Sequence, residues 1–186
     1  MRKALDALYR LSAALAALCL VVIAVMVVAQ VAARIFDGAR SLIGLEPLGL
    51  LVPSLAEIAG FLLVGASFLA LASTLRNADH IRVIILLQMV PRSVARFLEL
   101  WVLAVAVALI GYFAWNAALL TLDSYQFNEV SFGIIPVPLW IPQAAMTAGL
   151  AVFLISLIDD LVVTLLGGEP SYMEPMPDHD LVEGTE

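Results

Sequence analysis

The sequence predicts an all-α integral membrane protein: four transmembrane helices, short interfacial amphipathic helices between them, and both termini in the cytoplasm. Three observations predict it. The 186-residue chain is 63% hydrophobic and only 13% charged, with a mean hydropathy of +1.04. A soluble domain of this size buries only about 70% of the surface its unfolded chain exposes, which would leave a large apolar area in water. Four stretches reach the roughly 20 apolar residues that a bilayer crossing requires, and the Lys and Arg residues flank them unevenly. Hydrocarbon offers a backbone amide no partner, so each crossing must satisfy its own hydrogen bonds as a helix.

The predicted membrane domain covers residues 1–166, with crossings at about 11–33, 54–75, 98–122 and 138–166. Before the first, Met1-Arg2-Lys3 and Arg10 resemble the start of a secretion signal. The apolar run is longer than a signal's, and no small-residue cleavage site follows it, so it reads as a retained crossing. Cys19, the only cysteine, lies midway along it and reads as a small hydrophobe. The connection from Ser41 to Pro53 is too apolar to float in water, so it is expected at the outer interface or against a partner.

The second crossing opens with Pro53-Ser54-Leu55-Ala56-Glu57. Ser54 and Glu57 have capping-box spacing, in which the hydroxyl and the carboxylate each accept a backbone N–H of the other residue. After it, Ile81 to Val90 is apolar but too short to span, and Pro91 stops it. An interfacial arm over about 79–92 is predicted on the cytoplasmic leaflet. The fourth crossing opens with Pro136-Val137-Pro138-Leu139-Trp140-Ile141-Pro142-Gln143. Proline is tolerated in a first helical turn, where its missing N–H has no partner anyway, and Trp140 suits an interfacial belt. Residues 167–186 carry six acids and no Lys or Arg, which predicts a disordered acidic tail.

Orientation follows from the basic residues. Arg2, Lys3, Arg10, Arg76, Arg82, Arg92 and Arg96 fall on one side; only Arg34 and Arg40 fall on the other. The richer side is the cytoplasmic one, which puts both termini inside.

Several function classes are disfavoured. The net charge is −7, and the scattered basic residues form no stripe for nucleic acid. His80 and His179 are the two histidines; both lie outside the crossings, where a transmembrane haem would need its ligands. Asp178-His179-Asp180 reads as solvated tail. No Gly-rich phosphate loop, Cys pair or Ser/His/Asp set is visible, so the sequence predicts no catalytic residue, no metal ligand and no cofactor.

Polar residues within crossings are functional candidates: Gln30, Glu57, Asn116, Gln143, Asp159 and Asp160. Glu57 reads first as a capping carboxylate, with ion binding as the alternative. Asp159 and Asp160 are expected to stay hydrated or to pair with Arg10, Arg92 or Arg96. Gln30, Asn116 and Gln143 read as interhelical hydrogen-bonders, worth about 0.6 kcal/mol each on average. Their scatter, and the lack of broken helices paired across two halves, argue against a substrate path in this chain alone.

Two segments carry a family resemblance. One is Ala78-Asp79-His80-Ile81-Arg82-Val83 at its distance after Glu57; the other is Gly133-Ile134-Ile135-Pro136-Val137-Pro138-Leu139-Trp140-Ile141-Pro142-Gln143. In that order and spacing, over residues 8–166, the chain resembles the small membrane subunit of tripartite ATP-independent periplasmic (TRAP) transporters, the DctQ-like family. That family often has a second acid beside the position of Glu57, where this chain has Ala56 and Ile58.

The resemblance implies partners: a large TRAP membrane subunit holding the substrate and sodium sites, and a periplasmic solute-binding protein that captures an organic acid or related solute. It implies sodium-driven uptake across a bacterial inner membrane, with this chain as a non-catalytic, multi-pass scaffold. Glu57, Asp79, His80, Arg82, Trp140 and Gln143 are then the candidate contacts to a partner or to membrane lipids, with Arg82 suited to lipid phosphate. Two other readings stay open on the residues alone: a stand-alone four-helix carrier or channel, and the membrane anchor of a redox complex.

The orientation is tested by labelling. In a Cys19→Ser background, Ser41→Cys should react with a membrane-impermeant maleimide from outside intact cells, and Ser171→Cys only after lysis. The opposite pattern inverts the topology.

Overall fold

The computed structural model describes residues 2–46, 48–49, 51, 53–76 and 92–167. Among them are four helices: α1 (Arg2–Leu42), α2 (Leu55–Arg76), α3 (Arg92–Gln126) and α4 (Trp140–Leu165). Each is long and apolar enough to cross a membrane. The 22 residues of α2 rise about 33 Å, close to the hydrocarbon thickness. The 41 residues of α1 rise about 60 Å, so this helix extends well beyond any core it crosses.

Helix ends have identifiable causes. Past α1, the Leu45 N–H donates to the Arg40 carbonyl at 3.0 Å and the Gly44 N–H to the Ser41 carbonyl at 3.2 Å. Gly44 sits at φ 76°, the left-handed residue of a Schellman cap, where a side chain would be strained. Past α3 the same two-bond pattern recurs, from the Glu129 N–H to the Ser124 carbonyl and from the Asn128 N–H to the Tyr125 carbonyl. Asn128, at φ 50°, takes the glycine's place, as a short polar side chain can. Past α4, Gly167 at φ 90° donates to the Thr164 carbonyl.

The described helices form a row and not a closed bundle. α1 packs on α2, α2 on α4, and α4 on α3, while α1 barely touches α4. α1 runs antiparallel to α2: Ser12 Oγ donates to the Leu69 carbonyl at 2.5 Å, and Cys19 faces Gly65. α3 runs antiparallel to α4, with Arg96 beside Thr164, Gly111 beside Leu154 and Thr121 beside Thr147. The central pair is parallel, with Gly65 against Ala145 and Gly149 against Phe68.

Packing follows residue size. The less exposed residues of α1 include Tyr9, Ser12, Ala16, Cys19, Ile23, Met26 and Gln30, at alternating steps of three and four. On α3 the same rhythm runs through Leu103, Val107, Ile110, Ala114, Ala117, Thr121 and Ser124. This repeat keeps one narrow seam facing one neighbour, and small residues let backbones approach where no hydrophobic force separates helix from lipid. At the tightest point a methyl on Gly149 would stand 2.5 Å from the Phe68 carbonyl carbon and 2.6 Å from its oxygen.

The connection after α1 is non-helical in its described part. The Leu48 N–H donates to Asp37 Oδ1 at 2.9 Å, and Arg40 Nε to the Glu46 carbonyl at 3.1 Å. The predicted arm at 79–92, except for Arg92, and the tail beyond Gly167 lie outside the described residues.

Gly149→Leu should therefore lower unfolding stability in detergent by about 1–3 kcal/mol, as overpacking does. Gly60, where an added methyl meets nothing within 4 Å, supplies the contrast. Gly60→Ala should leave stability unchanged or raise it by up to about 1 kcal/mol through helix propensity. Equal losses at both positions would show that the α2–α4 approach is not close.

Candidate functional site

At one end of the row, the start of α2 and the connection between α3 and α4 are clasped together. Ser54 has a left-handed backbone, φ 54°, and its carbonyl accepts the N–H groups of Glu57 and Ile58 at 3.1 and 3.0 Å. The turn frees its hydroxyl for a distant partner: Ser54 Oγ accepts the Ile135 N–H at 3.0 Å, from 81 residues along the chain. The reciprocal capping box expected from Ser54 and Glu57 is thus replaced by a long-range bond within the chain.

The Glu57 carboxylate lies on Gly133. A methyl at Gly133 would overlap Glu57 Oε2 outright and come within 2.9 Å of Ser54 Oγ. Only a residue without Cβ permits this approach. Glu57 Oε2 is buried and accepts no hydrogen bond, so packing against the glycine backbone, and not capping, holds the carboxylate here.

The connection that presents Gly133 is itself braced. Val130 and Pro138 form an antiparallel bridge. The Ser131 N–H donates to the Val137 carbonyl at 2.9 Å, and the Leu139 N–H to the Glu129 carbonyl at 3.0 Å. Ser131 Oγ accepts the Val137 N–H at 3.0 Å. At the end of α3, Ser124 Oγ donates to Glu129 Oε2 at 2.6 Å. Trp140 meets Tyr125 edge to face, with ring centroids 5.8 Å apart, which joins the two aromatic residues at this end of α3 and α4.

The predicted site residues therefore divide. Glu57 joins the Gly133–Ile135 segment directly, and Trp140 closes the same connection. Gln143 sits one turn into α4, its Oε1 buried without a hydrogen-bond partner. Asp79, His80 and Arg82 lie outside the described residues. Sequence reasoning missed the brace of Ser124, Glu129 and Ser131. Polar residues in an otherwise apolar connection were the available signal, but their pairings depend on the turn after α3.

The other end and the middle of the row bear on two further expectations. Asp160 is buried, 2% exposed, which disfavours hydration and leaves an Arg partner as the other expectation for it. Arg96 donates to the Thr164 carbonyl at 3.3 Å, where a cation also suits the negative end of α4. Asn116 hydrogen-bonds within its own helix, to the Tyr112 carbonyl at 2.8 Å. The interhelical bond in that region is between the hydroxyls of Thr121 and Thr147, 3.0 Å apart. Among the described residues no three His, Cys, Asp or Glu side chains gather into a metal-binding group.

Fold and clasp together define a multi-pass helical membrane protein whose polar side chains join helices to one another and to their connections. The chain belongs to the family described as tripartite ATP-independent periplasmic transporters, DctQ component, which matches residues 48–167, more than half of the 186. It is therefore a small membrane component of a tripartite transport system. The match holds α2, α3, α4 and the clasp, and begins after α1. No curated protein and no solved structure matches the chain.

A double-mutant cycle tests the clasp. Gly133→Ala should cost about 1–3 kcal/mol of stability, because the carboxylate must be displaced. In a Glu57→Ala background the same change should cost less than about half as much, since the obstructing group is gone. Additive losses would mean that Glu57 and Gly133 are not in contact.

Proposed function

We propose that this chain is the small, non-catalytic scaffold subunit of a TRAP transporter in a bacterial inner membrane. It associates with a large permease subunit for sodium-driven, binding-protein-dependent uptake of an organic acid or related solute. The observation that carries the proposal is the open row within a chain of the DctQ family. A protein that moves solute by itself must enclose a path, whereas the described helices stand in a single row that encloses none and offers its faces to lipid or another subunit. With both termini cytoplasmic, as the basic residues indicate, the clasp lies on the periplasmic side, where the solute-binding protein delivers its load. Asp79, His80 and Arg82 then belong to a cytoplasmic arm that anchors to the large subunit or to lipid phosphate.

Reconstitution tests the assignment. The chain should co-purify with the co-expressed permease and, alone in liposomes, carry no solute. Uptake should need permease, binding protein, this chain and a sodium gradient together. Flux through this chain alone would make it a carrier or channel, and a stable permease that never binds it would remove the scaffold reading.

A further inference from the structure

The two outer edges of the row differ in chemistry. On α1 the exposed side is aliphatic, with Leu11, Leu18, Val25 and Val28 open to the surroundings, and lipid tails satisfy such a surface. The side of α3 turned away from α4 carries Phe97, Trp101, Tyr112 and Trp115, each 60–67% exposed. Their spacing puts them on one helical face, opposite the stripe that packs on α4.

Height along the helix sharpens the contrast. Tyr112, Trp115 and Asn116 lie between the levels where Gly111 meets Leu154 and Thr121 meets Thr147. Those contacts straddle the middle of the 26-residue α4, so the three residues sit within the hydrocarbon. Trp and Tyr favour the two membrane–water interfaces, where their polar ends find water. At mid-depth an indole N–H, a phenol and an amide have no partner in lipid. Asn116 is exposed and donates one N–H to the Tyr112 carbonyl, which leaves its Oδ1 and second N–H available. Polar residues at such depth face protein or a wet cavity.

We propose that the α3 edge at Tyr112, Trp115 and Asn116 is the seam by which this chain docks on a membrane-spanning helix of the large permease subunit. That helix presents small residues to the rings and a hydrogen-bonding group to the Asn116 amide, the pattern by which helices associate in lipid. The inference rests on the subunit reading above. The family match also bears on it: residues 48–167 include the whole α3 edge and leave the aliphatic α1 edge outside.

The test uses the complex in nanodiscs. Tyr112→p-benzoylphenylalanine or Trp115→p-benzoylphenylalanine should crosslink to the permease under light, whereas the same probe at Leu18 or Val25 should not. Asn116→Leu should weaken association about threefold and Trp115→Ala about tenfold or more, with Val25→Ala within about twofold. Crosslinks from the α1 edge alone, or from neither edge while the chains still co-purify, overturn the seam and leave the subunit reading intact. A crosslinked dimer of this chain through position 115 overturns it as well. If the unmodified chain does not bind the permease, both readings fall.

Discussion

The approach of α2 to α4 is the contact on which the rest of the structure depends. These helices run parallel, so their dipoles add no attraction, and in lipid no hydrophobic force drives two apolar helices together. Van der Waals contact must therefore supply most of the pairing, and it needs short distances. Gly149 against the Phe68 backbone, with Gly65 against Ala145 above it, supplies that proximity. Once this pair is set, each partner offers one further seam. α2 takes α1 and α4 takes α3, and the row is complete.

A row of this kind inverts the burial pattern of a soluble domain. Among the described residues, Thr164, Asp160, Ser124 and Ser156 are the largest fully buried side chains, and all are polar. The Leu, Val, Ile and Phe residues that would fill a soluble core are widely exposed. Both facts have one cause. Apolar side chains gain little by leaving lipid for protein, but a hydroxyl or carboxylate in hydrocarbon lacks any partner. Helices therefore turn small polar residues inward, as with the bond between Thr121 and Thr147, and leave aliphatic bulk outside.

Much of the fold was legible because one property, apolar length, governs it. The four helices answer to four apolar stretches, although α1 and α3 extend past them. Hydropathy reports solubility in lipid, whereas a helix continues until a residue such as Gly44 or Asn128 turns the backbone left-handed. The clasp was legible only in its parts. Ser54, Glu57 and the Gly133 segment were each visible, but local spacing suggested a capping box. The hydroxyl instead meets Ile135, 81 residues away, because the left-handed turn at Ser54 redirects it. Such pairings depend on how helices are ordered in the row, which no local pattern encodes. The same holds for the burial of Asp160, which its position near a helix end does not encode.

Long-range bonds then tie the row at both ends. Ser54 to Ile135 joins α2 to the connection before α4, while Ser12 to Leu69 and Arg96 to Thr164 tie α1 to α2 and α3 to α4 at the other end. A seam of small residues alone permits sliding, since one Ala or Gly resembles the next along the groove. Directional hydrogen bonds at the ends do not, because a shift of one helical turn would leave donors and acceptors unmatched in a poorly hydrated setting. The arrangement therefore resists shear along its helix axes while exposing broad faces for contact.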